Sequence, residues 1–300
     1  MVVAACAIWG GNWVTARWIM HEASPLTLVF WRCFAAAMIA GAIALPGGKE
    51  QWPAVRADWK MLAVLGVVGT ALFSTFGYEG VRFTTATNAS LIGASGPFIQ
   101  VALSWLVLGH TITGRQLVGM SVSFAGAAVI VCSGSWEALR HLSFNPGDLL
   151  LLCGVMSWQT YTVLLGKREK DRKPRLKPGM FLFVTGVAGA ISAIPGYAWE
   201  LLSGRSVFPF TPPVLTAAAY LFVFPAFIAF FLWVRAVPMI GPNRATFFNP
   251  LIPVFGVIGA VAFLDEQLHG YHVTGFVLVM LGLALVSVPG RSIRLPASRS

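Results

Sequence analysis

The sequence predicts an all-α integral membrane protein with ten transmembrane helices arranged as two inverted five-helix repeats. Three observations carry this. Hydrophobic residues make up 57% of the 300-residue chain and charged residues only 11%, with a mean hydropathy of +0.75. Soluble domains are about one quarter charged, so lipid must be the solvent for most of these side chains. Ten apolar runs are each long enough, at roughly 20 residues, to cross a hydrocarbon core. Basic residues, finally, crowd the connections on one side of the membrane.

The expected spans, in order, begin with residues 2–20, which hold the stretch AIWGGNWVTARW. The second, 25–45, carries Arg32 seven residues beyond Pro25. That is about 10 Å along a helix rising about 1.5 Å per residue. The third, 59–80, closes on Tyr78 and Glu79, and the fourth, 84–109, is interrupted by Asn88, Ser95, Pro97 and Gln100. The fifth is 113–133 and the sixth, 147–167, contains Trp158 and Tyr161. The seventh and eighth are 179–202 and 213–237; the ninth, 241–264, carries Asn249, Pro250 and Pro253; the tenth is 270–289. The breaks fall at turn or charge clusters such as PGGKEQWP, HTITGR and GKREKDRKPRLKPG. Backbone groups in lipid need internal partners, and the alternating ten-residue segments of a barrel are absent, so these spans are helices.

With the N-terminus inside, sixteen Lys and Arg residues fall on the cytoplasmic side and four on the other, Arg32 being within a span. This asymmetry makes both termini cytoplasmic in a multi-pass protein of the inner (plasma) membrane. The first run lacks a basic leader and continues directly into further spans, so no cleavable signal peptide is expected. The net charge of +10 is therefore read by position. The run KREKDRKPRLK lacks the interleaved aromatics of a nucleic-acid patch and serves as a topology signal facing anionic headgroups. No nucleic-acid partner is expected; the partners are the bilayer and a small-molecule substrate, with the chain a monomer or weak dimer.

A shift of 156 residues superposes GPFIQVALSWLVLGH on IPVFGVIGAVAFLDE, so that Pro97 meets Pro253, His110 meets Glu266, and Gly119 and Gly126 meet Gly275 and Gly282. At a shift of 149, Trp9 meets Trp158 and Asn12 meets Tyr161, the difference being absorbed by the longer central loop. Five is an odd number of crossings, so the second repeat enters from the opposite side, a plan that places a substrate site near the midplane between repeats. The repeats are expected at 1–135 and 146–290, with a cytoplasmic tail at 291–300.

The stretches AIWGGNWVTARW…SPLTLVFWR, FTTATNASLIGASGPFIQVALSWLVLGH, LVGMSVSFAGAAVIV, GDLLLLCGVMSWQTYTV and FFNPLIPVFGVIGAVAFLDEQLHGYHVTGFVLVMLGLALV resemble, in order, the elements of the EamA family within the drug/metabolite transporter superfamily. The resemblance covers nearly the whole chain. It implies ten helices in two inverted repeats, a central cavity and export of small metabolites. Glu266 in LDEQL stands in the family's usual acidic place, whereas His110 replaces the matching first-repeat glutamate.

Enzymatic chemistry finds no support. GASG, residues 93–96, matches a rhomboid-like G-x-S-G, but the five histidines lie at span ends or in loops, out of reach of Ser95. There is no HExxH, no Walker loop and no metal cluster, and Cys6, Cys33, Cys132 and Cys153 show no ligand spacing. No catalytic residue, metal or cofactor is expected.

Trp9, Asn12 and Trp13 share one helix face near mid-depth, where interfacial anchoring does not explain them. Together with Trp158 and Tyr161 they either line a cavity or pack and tie neighbouring helices. The expected substrate-binding set is Trp9, Asn12, Tyr78, Asn88, Ser95, Gln100, Trp158, Tyr161 and Asn249. Pro97, Pro250 and Pro253, which each remove a helix hydrogen bond, are the expected hinges, or else static kinks. Glu79 pairs most simply with Arg82. Arg32 either attracts a substrate carboxylate or holds a neighbouring helix through backbone carbonyls.

Every carboxylate lies in a loop or near a span end, so the cavity is nearly neutral and lacks a proton-carrying group. The expected function is export of small net-neutral metabolites by alternating access, above all amino acids: aromatic or apolar members, threonine and methionine. Efflux of hydrophobic cations is the alternative among carriers, and a non-transporting channel or receptor the alternative outside them.

Overall fold

A computed structural model describes the chain apart from residues 21, 85, 141–144, 172–173, 265–268 and 288–300. Glu266 and the tail at 291–300 thus lie outside the described residues. The chain runs α1 (Val2–Ile19), α2 (Pro25–Ala44), two short 3₁₀ turns, then α3 (Trp52–Gly66), a π-helical segment (Val67–Leu72) and α4 (Phe73–Phe83). It continues through α5 (Ala86–Ala94), α6 (Gly96–Leu108), α7 (Gly114–Val131), α8 (Trp136–Arg140), α9 (Pro146–Lys170) and α10 (Pro178–Leu202). The remainder is α11 (Pro212–Val223), a second π-helical segment (Phe224–Ala229), α12 (Phe230–Ile240), α13 (Pro242–Thr246), α14 (Leu251–Leu264) and α15 (Gly270–Ser287). No strand occurs among the described residues.

Among the described residues, seven helical stretches are long and apolar enough to cross a membrane: Pro25–Gly47, Lys49–Phe83, Leu91–Leu108, Gly114–Val131, Pro146–Lys170, Pro178–Leu202 and Pro212–Ile240. Val2–Asn12 and Gly270–Val286 are shorter apolar helices. Proline stands in the first turn of α2, α3, α6, α9, α10, α11 and α13, where its missing N–H and fixed φ cost nothing. The reciprocal caps Thr113–Gln116 and Asn145–Asp148 start α7 and α9. Trp18, Trp59, Trp136 and Trp199 are exposed, as large apolar side chains are when lipid surrounds them.

The packing is paired: α7 lies along α15, α2 along α10, α4 and α6 against α9, and α1 against α14. At the α7–α15 contact the backbones all but touch. A Cβ on Gly126 would lie 2.7 Å from the Gly275 carbonyl oxygen, and one on Gly275 would lie 2.7 Å from that of Gly126. Gly119 and Gly282 meet in the same reciprocal way, at 2.7 and 2.5 Å. With little hydrophobic drive between helices in lipid, such approach is what gains dispersion contact.

Three carboxylates are buried among the described residues, Asp148 and Glu200 near helix ends and Asp58 inside α3, and each is satisfied. Asp58 sits at a local break in α3 and pairs with Arg168 Nε at 2.7 Å. Asp148 accepts from Thr84, from Asn88 Nδ2 at 2.9 Å and from the Asn145 amide at 2.9 Å. Glu200 accepts from the amides of Leu26 and Thr27, at 3.2 and 2.7 Å, and so caps α2.

Replacing Gly126 with Val places branched carbon against a carbonyl that cannot retreat, at a cost of about 1–3 kcal/mol. The expected outcome is a lower thermal-unfolding midpoint for purified Gly126→Val in detergent; an unchanged midpoint would mean that the seam is looser than described.

Candidate functional site

The two π segments define the centre of the site. A π turn widens the helix and shifts the carbonyl pattern, leaving acceptors that need other partners. Ser157 Oγ on α9 donates to the Val68 carbonyl at 2.7 Å, and Trp9 Nε1 on α1 donates to the Pro225 carbonyl at 3.3 Å. Val68 and Pro225 hold the same place in their segments, 157 positions apart.

Around these bonds the aromatic rings close up. Trp9 and Trp158 meet edge to face with centroids 5.2 Å apart, and Trp233 lies 5.3 and 5.4 Å from them. Phe230 sits 5.2 Å and Phe73 5.2 Å from Trp158, with Tyr161 at 5.3 Å. Such pairs contribute about 0.5–1.5 kcal/mol each beyond area burial. Tyr161 fits against the first π segment only because Gly69 lacks a Cβ, which would lie 2.2 Å from the ring. Of the expected residues, the structure therefore brings Trp9, Trp158 and Tyr161 together. The sequence reading missed Phe73, Phe230 and Trp233. Phe73 and Phe230 are themselves 157 positions apart, and that repeat offset was the signal available for them.

Beside the aromatic cluster lies a small, mostly apolar cavity of about 20 Å³ with Arg32 and three hydroxyl side chains in its wall, room for one water. Arg32, Cys33 and Ala36 of α2, Thr70, Ser74, Thr185, and Ala226, Phe227 and Phe230 line it. Arg32 is buried and its Nη1 donates to Tyr78 Oη at 3.0 Å and Ser74 Oγ at 3.3 Å. It therefore grips α4 through side-chain hydroxyls, where backbone carbonyls were the expected partners. Tyr78 is fully buried and serves as a partner of Arg32 rather than as part of the aromatic cluster.

The remaining expected residues separate. Asn12, Gln100 and Asn249 are buried, and the side-chain oxygen of each has no hydrogen-bond partner. Gln100 Nε2 does bond Ser104 Oγ at 2.9 Å and Asn243 Oδ1 at 3.5 Å. An unsatisfied buried acceptor costs about 1–3 kcal/mol, so these three, two in helices and Asn249 in the turn at 247–250, form a reserve of unmet polarity. Asn88 turns away to the Asp148 cap, and Ser95 Oγ folds back onto the Ile92 carbonyl at 2.7 Å. Pro97 lies in the first turn of α6, immediately after the break at Ser95, so the interruption precedes it and no interior bond is lost. Pro250 ends the turn at 247–250 and Pro253 lies in the first turn of α14. Glu79 pairs with Arg82 at 3.1 Å. His110, in the exposed loop after α6, has its pKa lowered by partial burial and then by the Lys170 ammonium, which favours the neutral ring. No cluster of three potential metal-ligating side chains occurs among the described residues.

Apolar helices turned outward, with aromatic, amide and hydroxyl groups gathered inside, define a polytopic membrane protein. The pattern of the EamA-like transporter family matches residues 1–132 and 145–288, and the chain belongs to that family. It is 28% identical to the uncharacterized transporter YyaM of Bacillus subtilis (strain 168), over 93% of this chain and 89% of the relative. It is 24% identical to the probable amino-acid metabolite efflux pump of Escherichia coli (strain K12), over 94% and 92% of the two chains. It is 26% identical to the probable terminal-alkyne amino-acid exporter of Streptantibioticus cattleyicolor (strain ATCC 35852 / DSM 46488 / JCM 4925 / NBRC 14057 / NRRL 8057), over 84% and 80%. A crystal structure of a protein 19% identical superposes with a TM-score of 0.77 over 95% of this chain and 94% of the other, which shows a shared fold.

Replacing Asn12 with Leu removes an unsatisfied buried acceptor of similar size. The expected outcome is a thermal midpoint at or above that of the parent together with reduced substrate uptake in liposomes. A lower midpoint with unchanged uptake would make Asn12 a structural tie.

Proposed function

We propose that this protein is a secondary carrier that exports small net-neutral metabolites, above all amino acids with apolar or aromatic side chains, with threonine and methionine also in range. The observation that carries the reading is the reciprocal tie of the two π segments around the aromatic cluster: α1 holds one and α9 the other. Irregular backbone at matching places in the two halves is the recurring mark of a carrier's binding site.

In this reading the chain is ten transmembrane helices in two inverted repeats, 1–135 and 146–290, with both termini and the 291–300 tail cytoplasmic in the inner membrane. Three matches support the repeat. The π segments lie 157 positions apart, α5 and α13 begin 156 apart, and α6 and α14 end 156 apart. The reciprocal glycine contacts of α7 and α15 follow the same relation. Alternating access would then move the paired elements about the breaks at Ser95, at 247–250 and at the π segments. Trp9, Asn12, Gln100, Trp158, Tyr161 and Asn249 would face the substrate.

The names of the Escherichia coli and Streptantibioticus relatives support amino acids as cargo. An arginine in the cavity wall opposes hydrophobic cations, because burying a second positive charge beside it is costly. The buried carboxylates Asp58, Asp148 and Glu200 are each committed to a partner at a helix end. Among the described residues that leaves no carrier for obligate proton antiport, and in this reading transport is driven by the substrate gradient.

Purified protein in liposomes is expected to take up labelled phenylalanine and methionine, with threonine slower, saturably and with block by excess unlabelled substrate. Trp158→Ala is expected to lower uptake by about tenfold, the loss of about 1.4 kcal/mol of binding. A pH gradient is expected to leave the final internal concentration unchanged. Absence of uptake of all three would overturn the choice of cargo, and accumulation driven by the pH gradient would overturn the uncoupled mechanism.

A further inference from the structure

We propose that Arg32 is a carboxylate-binding subsite, the group that receives the negative end of the transported zwitterion; this rests on the reading of the protein as an amino acid carrier. The first observation is a charge without a counter-charge. Arg32 is 3% exposed, and no carboxylate among the described residues lies within ion-pair distance of it. The other buried charges are compensated: Asp58 by Arg168, Asp148 and Glu200 by backbone and side-chain donors. A buried cation left with neutral partners is the group that gains most from an incoming anion.

The second observation is the geometry of its bonds. Both hydroxyl contacts, to Ser74 and Tyr78, use Nη1. The Nε–Nη2 edge, which offers two parallel donors to a carboxylate, has no partner among the described residues. Tyr78 thus fixes the direction of the guanidinium without consuming its recognition edge.

The third observation is what lies next to it. The cavity that Arg32 lines also holds the hydroxyl-bearing side chains of Thr70, Ser74 and Thr185. Phe230 also lines it and packs on Trp158 at 5.2 Å in the aromatic cluster. One residue therefore belongs to both the cavity that Arg32 lines and the aromatic cluster. A ligand with its carboxylate at Arg32 places its side chain toward Phe230 and Trp158, which selects amino acids with apolar or aromatic side chains. At about 20 Å³ the cavity admits only a water. Seating a carboxylate requires the flanking π segments, which contribute Thr70, Ala226 and Phe227 to the wall, to move apart.

The test is calorimetric titration of the full-length protein in detergent with propionate, propionamide and chloride. Propionate is expected to bind saturably, propionamide not at all, and Arg32→Gln to weaken propionate by about tenfold or more. Arg32→Lys, which keeps the charge and loses the fork, is expected to fall between them. Tyr78→Phe, which keeps the guanidinium and deletes one of the two hydroxyls that orient it, is expected to weaken propionate by less than Arg32→Gln does; a larger loss than in Arg32→Gln overturns the assignment of Arg32 as the binding group. Equal binding by parent and Arg32→Gln overturns the proposal, as does equal binding of propionamide. No propionate binding by the parent, or chloride binding as tightly as propionate, overturns it too. If Arg32→Gln does not fold, an Arg32→Lys protein that binds propionate as the parent does overturns the assignment of the guanidinium fork. Liposome uptake separates the two layers of the argument. Arg32-dependent propionate binding without amino acid uptake would sink the cargo and leave the subsite. Saturable phenylalanine uptake with the same KM in parent and Arg32→Gln, and equal competition by phenylalaninamide, would sink the subsite and leave the cargo.

Discussion

Hydrocarbon offers a peptide group no partner but another polar group of the protein, and that single constraint organises this molecule. It makes the described residues helical and confines irregular backbone to places where a neighbour can supply the missing bond. The Val68 and Pro225 carbonyls show how strictly this is met, since each receives a side-chain donor from a different helix. The donors come from α9 and α1, so these two helices are tied to the π segments by chemistry as well as by packing. Displacement of either helix would strand a carbonyl unless the opposite segment changed with it. Backbone satisfaction thus couples the two halves at the centre of the protein.

Charge follows the same economy. Among the described residues carboxylates are buried only at helix ends or at the break within α3, where backbone amides or an arginine can meet them, and each is used to fix a start or a crossing. Arg32 departs from this pattern, with a full charge in the bundle and only two hydroxyls and the face of the Tyr78 ring against it. Asn12, Gln100 and Asn249 extend the departure with unpaired oxygens. Local polarity that a fold does not use for itself is available for something that arrives later.

The all-helical membrane class was legible in the sequence because hydropathy acts span by span, and the family resemblance holds across both matched segments. Trp9, Trp158 and Tyr161 could be found because tryptophan at mid-depth has no interfacial explanation. Phe73 and Phe230 were hidden among 22 phenylalanines, where one more phenylalanine carries no signal of its own. The π segments were also invisible: VVGTAL and FPAFIA read as ordinary apolar helix, and their widened turns depend on donors from other helices. Asn88 illustrates the reverse error, since a polar residue in a span suggests a cavity until a distant Asp148 claims it. Pro97 shows how a residue known to break helices can instead begin one, when the break has already occurred at Ser95.

The seam between α7 and α15 has a consequence for how such a chain can arise. Gly119 faces Gly282 and Gly126 faces Gly275, so each contact occurs twice with the partners exchanged. This is the geometry of an isologous dimer interface, here found within one polypeptide. On the proposed reading of the halves as inverted repeats, a half-length chain inserted in both orientations would make the same seam with its own inverted copy, and two glycines in its gene would serve both contacts. Fusion of two gene copies would then free each half to diverge wherever backbones do not touch, while the four crossing glycines stay bound to one another by geometry.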